Sequence, residues 1–272
     1  MSKKLLSVLM TVLVNIPMLA QIQTMPKLVD KGDSIDLVKY RVTYSLNFIS
    51  DPNNRDFVTQ DIVRLDIGSK RSKQYSYLLY QTDSLSKNAI ETGRFPHVLS
   101  KIVPPLVIYK ALPNIDDMII DYRLPSKAPV MTYMETIPQM KWQIKPDKKG
   151  VIGYNCQKAE VTFGGRRWIA WFTLEIPVSD GPYKFRGLPG LILELQDVEG
   201  DYHYKCIGFS HVSNREVMLR WNWNQRPISK EGLDKIIRQL YANPDQALKA
   251  LGAKTRFAGD ALLDVPYNPI ER

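Results

Sequence analysis

Strict alternation over residues 38–48 constrains this chain more than any other stretch. Val38, Tyr40, Val42, Tyr44, Leu46 and Phe48 fall on one side, and Lys39, Arg41, Thr43, Ser45 and Asn47 on the other. A strand with this pattern has one apolar face that must be covered. A turn at Asp51, Pro52, Asn53 and Asn54 leads into a second such run, in which Val63, Leu65 and Ile67 interleave with Arg64 and Asp66. A third follows Gly68, with Tyr75, Tyr77 and Leu79 in phase. Connections this short force antiparallel pairing, because a parallel crossover needs a dozen or more residues.

Residues 83–91 read as a short helix capped by Asp83 or Ser84. Over residues 95–138 the strand-like runs 106–109, 118–122 and 130–134 are separated by prolines. Prolines of this kind confine strands to edges or short pieces, so this third of the chain suits a variable lid or ligand rim. Trp142 and Ile144 suit a further strand. Residues 151–163 and 168–176 flank Gly164 and Gly165 as a hairpin, with a bulge near Gln157 and Lys158 where the apolar phase slips. Residues 191–196 and 202–209 form a second hairpin, and residues 217–223 alternate once more. The period then changes: Ser229 caps a helix with Leu233, Ile236, Ile237 and Leu240 on one face, and Asn243, Pro244 and Gln246 announce another. Residues 264–272 form a tail held on the body by Val265, Tyr267 and Ile270.

The densest turn chemistry lies before the strand at 191–196. Asp180, Gly181 and Pro182 break the chain, and Gly187, Leu188, Pro189, Gly190, Leu191 and Ile192 turn it into an apolar run. These six residues match letter for letter the motif of the GLPGLI family. The resemblance extends to an aromatic-rich hairpin at residues 153–177 and to the ending Asn268, Pro269, Ile270 and Glu271. It implies a secreted envelope protein of Gram-negative bacteria and supplies no catalytic residues. The residues themselves read as structural: Leu188 tucks beneath the turn, Asp180 forms it, and Glu175 and Glu194 sit on the solvent side of strands.

Lys3 and Lys4 precede an apolar run ending at Ala20, the pattern of a cleavable signal peptide over residues 1–20. No cysteine follows at that point to be lipidated. Residues 21–272 are therefore expected to be one domain, soluble in the periplasm or secreted. The net charge of +9 is spread over small clusters, and an exported chain is not expected to meet nucleic acid. Cys156 and Cys206 either form a disulfide, whose loop of about 50 residues would stabilise by roughly 4 kcal/mol, or stay as two buried thiols.

Chemistry has little material. Histidines are confined to positions 97, 203 and 211, and no nucleophile elbow, phosphate loop or dinucleotide fingerprint occurs. No cofactor or metal is expected. Trp168, Trp171, Phe172, Tyr183, Phe185 and Trp221 either fill the core or face a ligand, together with Tyr202, Tyr204 and Trp223. The expected fold is mainly β with some helix (α+β), a strongly curved antiparallel sheet of about eight to eleven strands with short C-terminal helices on its concave side. In order of elements it resembles the half-open barrel of periplasmic lipoprotein carriers; a closed barrel or β-sandwich is the alternative. The expected role is non-enzymatic binding, or a chaperone-like role, toward an apolar group such as an acyl chain or lipid anchor. An interaction module accessory to an outer-membrane protein assembly or transporter is the second reading, and a hydrolase using the carboxylates near the motif the third.

Overall fold

The computed structural model describes residues 24–99, 101–111, 117–126, 128–136, 138–252 and 266–272. The leader expected over residues 1–20 lies outside these, as does Val265. The alternation at 38–48 becomes β2 (Tyr40–Ile49), with Val42, Tyr44 and Leu46 fully buried. It pairs antiparallel with β3 (Val58–Ile67), which pairs with β4 (Arg71–Ser76).

The third strand ends at Ser76 rather than running on to Leu79. Ser76 is extended and its Oγ accepts a hydrogen bond from Leu79 N at 3.2 Å, which starts α1 (Tyr77–Glu91). The helix thus begins before Asp83 or Ser84. Asp83 and Ser86 share its buried side with Leu79, so apolar periodicity does not reveal it.

β5 (Leu106–Ala111), β6 (Asp117–Arg123) and β7 (Val130–Thr136) continue the same antiparallel ladder. They are regular members of the sheet rather than edge pieces, because Pro104, Pro105, Pro125 and Pro129 fall in the connections and leave the ladder donors intact. A second meander comprises β8 (Gln143–Val151), β9 (Tyr154–Phe163), β10 (Arg166–Thr173), β11 (Leu191–Asp197) and β12 (Tyr202–His211). The β9–β10 register is unbroken. The expected bulge lies instead on the facing strand, between Ile144 and Lys148 of β8.

β12 returns to pair with β2 and joins the meanders into one twelve-stranded sheet. β14 (Gln225–Pro227) adds parallel to β7, so the sheet is mixed. β14 and β8 are its outer strands, and the sheet stays open rather than closing into a barrel. β1 (Gly32–Leu37) and β13 (Val217–Trp221) form a separate two-stranded ribbon. Among the described residues there are fourteen strands, more than the alternation suggested, since polar strands such as β1 carry no apolar phase. α2 (Lys230–Ala242) and α3 (Pro244–Ala250) begin at their expected caps, Ser229 and Asn243.

The sheet curls around its inner face. In sheet order β4 and β10 are separated by β3, β2, β12 and β11, a distance of about 24 Å if flat. Yet Tyr183 N donates to Gln74 Oε1 of β4 at 2.5 Å, while the Phe185 ring lies 4.7 Å from that of Trp168 on β10. Residues two apart in one loop reach both strands only because the sheet bends toward itself. Tyr44, Leu65, Ile108, Trp168, Phe172 and Leu195 fill the inside, and Leu233 and Ile237 of α2 join them. A smaller core with Tyr75, Tyr109, Trp221 and Trp223 lies on the other face, beneath β13.

Candidate binding cavity and the motif loop

The loop between β10 and β11 lies inside the curl and is tied by charge to distant elements. Asp180 and Lys110 of β5 form an ion pair in which both side chains are fully buried. Lys110 Nζ also donates to the carbonyls of Gly181 at 2.7 Å and Tyr183 at 3.1 Å, so the turn through Pro182 wraps one ammonium group. Burial pushes Lys110 below the ordinary lysine value, and Asp180 restores only part of that shift. Asp180 is therefore more than a turn former. Lys184 pairs with Glu135 of β7 and Glu271 of the tail, and Lys230 of α2 pairs with the same two carboxylates. Tyr183 Oη donates to Glu271 at 2.5 Å.

The remaining motif residues build the turn and lead into β11. Leu188 is buried beneath the turn, Pro189 is at the surface, and Leu191, Ile192, Leu193 and Leu195 are all fully buried. Tyr44 Oη fixes the start of β11 by donating to the Ile192 carbonyl at 2.7 Å.

The tail is anchored as firmly. Arg166 donates to Asp197 and Asp201 at 2.7 and 2.8 Å, and to Asn268 Oδ1 and the Pro269 carbonyl at 2.6 and 2.8 Å. Asn268 Nδ2 in turn donates to the Ile49 carbonyl at 2.9 Å.

Between the motif loop, the tail and α2, the inner face of the sheet leaves a cavity of about 130 Å³. Its walls carry seven tyrosines, Tyr75, Tyr122, Tyr183, Tyr202, Tyr204, Tyr241 and Tyr267. Leu46, Phe48, Val63, Ile102, Val103, Leu106 and Ile270 add to the apolar lining, and Ser50, Gln74 and Asn268 bring polar groups to it. Burial pushes Tyr122, Tyr183 and Tyr202 well above the ordinary phenol value, so these rings stay neutral. Asp61 lines the same cavity and is 2% exposed. Its Oδ1 accepts from Ser76 Oγ at 2.9 Å and from Ile62 N at 2.7 Å, while Oδ2 has no hydrogen-bond partner among the described residues. Burial pushes this carboxyl up to about 7, against those hydrogen bonds and the charge of Lys101.

Of the nine aromatics expected to face core or ligand, Tyr183, Tyr202 and Tyr204 line the cavity. Trp168, Phe172 and Phe185 are core. Trp171 is on the outer face with Lys149 Nζ 4.4 Å from its ring centre, and Trp221 is in the second core beneath Lys73 Nζ at 3.1 Å. Cys156 and Cys206 are buried free thiols, the second of the two expected outcomes, and burial pushes both up to about 11.

The carboxylates near the motif are held apart. Glu175 is exposed and accepts from Asn155 N. Glu194, expected on the solvent side, is buried, with His203 Nε2 at 2.9 Å and Lys149 Nζ at 2.7 Å. Burial opposes its ionisation, but these partners outweigh burial and hold the carboxyl at about 2. Among the described residues no three His, Cys, Asp or Glu side chains converge for a metal.

Asp61 is the cavity residue that the alternation hides in plain view. It occupies the position two before Val63 on the apolar side of β3, where a carboxylate has no ordinary reason to be. Tyr241 and Tyr267 carry no such signal, because only the chain's return brings them to the sheet.

A family model described as a protein of unknown function (Porph_ging) matches residues 165–194, from the start of β10 through the motif into β11. No curated protein matches the chain. Two solved structures of PNGF-II are similar in fold, one in space group P21 at 13% identity with a TM-score of 0.50, the other in space group C2 at 12% and 0.48. Each match covers 73% of this chain and 32% of the PNGF-II chain, so the chain spans about a third of PNGF-II. At this identity the likeness concerns the fold alone.

Proposed function

We propose that the chain is an exported, non-enzymatic binding protein of the GLPGLI type whose cavity takes a compact apolar group. The observation that carries this reading is the cavity of about 130 Å³ on the inner face of the sheet, ringed by neutral tyrosines and aliphatic side chains. A dry apolar cavity of roughly 150 Å³ accommodates benzene. Space of that order suits one ring, or the end of an acyl chain or lipid anchor, better than a whole chain.

The motif supports the GLPGLI reading, and it lies within residues 165–194, the segment that the Porph_ging model matches. The charged amino terminus and apolar run support export to the periplasm, which fractionation of cells expressing the full chain would test. No described helix is long and apolar enough to cross a membrane.

Ligand-observed NMR with toluene tests the binding reading, together with native mass spectrometry of detergent-free protein. Saturation transfer to toluene, lost when Val63 is replaced by Phe to fill the cavity, is the expected result. No transfer to toluene and no copurifying apolar compound would remove the reading.

A second reading rests on β8. Its outer side has no strand beside it among the described residues, and Lys148 is exposed on it, while Lys145 and Lys149 pair with Glu160 and Glu194. Such an edge suits strand addition by an extended segment of an outer-membrane partner. Crosslinking in cells through residues placed along β8 should recover one reproducible partner; recovery of none would end this reading.

A further inference from the structure

Resting on the reading that the cavity binds an apolar group, we propose that Asp61 makes it selective for compact amines: the ligand's protonated amine meets Asp61 Oδ2 and its carbon body packs against the tyrosine rings.

Charge is the first argument. Among the described residues, every other buried carboxylate has a basic partner within ion-pair distance: Asp66 has Arg41, Asp83 has Arg123, Asp121 has Arg220, Asp180 has Lys110, Glu194 has Lys149, and Asp197 and Asp201 share Arg166. Asp61 alone has none. A buried acid without a cation is costly unless something compensates it, and this one borders a cavity.

Its hydrogen-bond geometry is the second. Oδ1 is occupied twice and held in place by Ser76 and Ile62, so the side chain is oriented without help from a ligand. Oδ2 is left to accept.

The surroundings are the third. Register sets Tyr204, Leu46 and Asp61 in one row across β12, β2 and β3, with Leu46 beside the carboxylate and Tyr204 one strand further on, and both Tyr204 and Asp61 line the cavity. Neutral aromatic faces attract ammonium groups, more strongly when water is excluded. A ligand bearing a carboxylate would instead set a second negative charge beside Asp61, which argues against free fatty acids.

The test compares benzylamine, toluene and benzoate by calorimetric titration of the full chain at pH 7.5, on wild type and on Asp61→Asn. The substitution keeps an oxygen for Ser76 and Ile62 and removes the charge. In wild type benzylamine should bind roughly tenfold or more tighter than toluene, with benzoate weakest. In Asp61→Asn the ratio of benzylamine to toluene affinity should fall to about one, and an unchanged far-ultraviolet circular dichroism spectrum shows that the variant is folded. Toluene binding with no preference for benzylamine, or a preference that survives Asp61→Asn, would overturn the amine inference and leave the apolar reading standing. If neither toluene nor benzylamine binds wild type, both fall together.

Discussion

Gly190 lies against the carbonyl of Thr173 so closely that a β-carbon built on it would meet that oxygen at 1.9 Å. The obstacle is backbone of the neighbouring strand, which cannot rotate away. Gly187 is constrained differently: its φ is +96°, but the nearest atom to an added β-carbon is 3.7 Å away. Gly190→Ala should therefore be the more damaging, at about 2–3 kcal/mol or more through forced separation of β10 and β11. Gly187→Ala should cost about 1 kcal/mol through backbone strain alone. Urea midpoints of the two variants check the order; equal midpoints would count against it.

Asp180 and Lys110 form the buried pair that docks the motif loop on β5. Removing either partner strands a charge in the core, at about 3–5 kcal/mol. Asp180→Asn and Lys110→Met should each destabilise by that order, and the double variant should be much less damaged than the two effects added together. A double-mutant cycle in urea tests this, and simple additivity would contradict the coupling.

Glu194 titrates at about 2 in the folded chain, below the ordinary 4.5 of a glutamate. Its contribution is present above the unfolded value and is lost as pH falls from about 4.5 toward 2. Glu194→Gln should cost about 1 kcal/mol at pH 7, allowing for solvent screening of Lys149 and His203, and the gap to wild type should close near pH 2. Denaturation curves across that range supply the check.

Asp61 has the opposite sign. Its folded carboxyl titrates near 7 and an ordinary aspartate near 3.8. Between those values the folded chain keeps a proton that the unfolded chain has released, so the Asp61 contribution falls as pH rises, by about 1.4 kcal/mol per unit at most. Asp61→Asn removes this penalty. The variant should gain on wild type between pH 4 and pH 7 and show a constant difference above. A difference that is flat from pH 4 would mean Asp61 titrates normally.

Much of this fold was legible from period alone. β2, the hairpin of β9 and β10, and the caps of α2 and α3 follow from alternation, a two-glycine turn and local side-chain capping, all of which are local signals. Where burial recruits polar residues the signal inverts. Asp83 and Ser86 on the buried side of α1 hide a helix, and Glu194 on β11 looks solvent-facing while His203 and Lys149 cover it. The site was less legible still. Asp180 and Lys110 stand 70 positions apart, and the cavity needs β3, β6, β12, α2 and the tail to assemble before it exists. Asp61 was the one local clue, a carboxylate in phase with Val63 and Leu65.

Tyr267 offers a way to change what the cavity admits without touching Asp61. It lies in the tail, stacked on Tyr241 of α2 with ring centres 4.4 Å apart, and both rings line the cavity. The tail's main anchors are elsewhere, at Asn268 through Arg166 and at Glu271 through Lys184 and Lys230. Tyr267→Ala should therefore leave the tail docked while removing one wall. The loss of ring packing should destabilise by about 2–3 kcal/mol, with the fold retained. In titrations against toluene and butylbenzene, wild type should prefer the smaller ligand and Tyr267→Ala should shift that preference toward butylbenzene by roughly tenfold. An unchanged ratio would mean that Tyr267 does not bound the binding space, and that the tail anchors the sheet without forming a wall of the site.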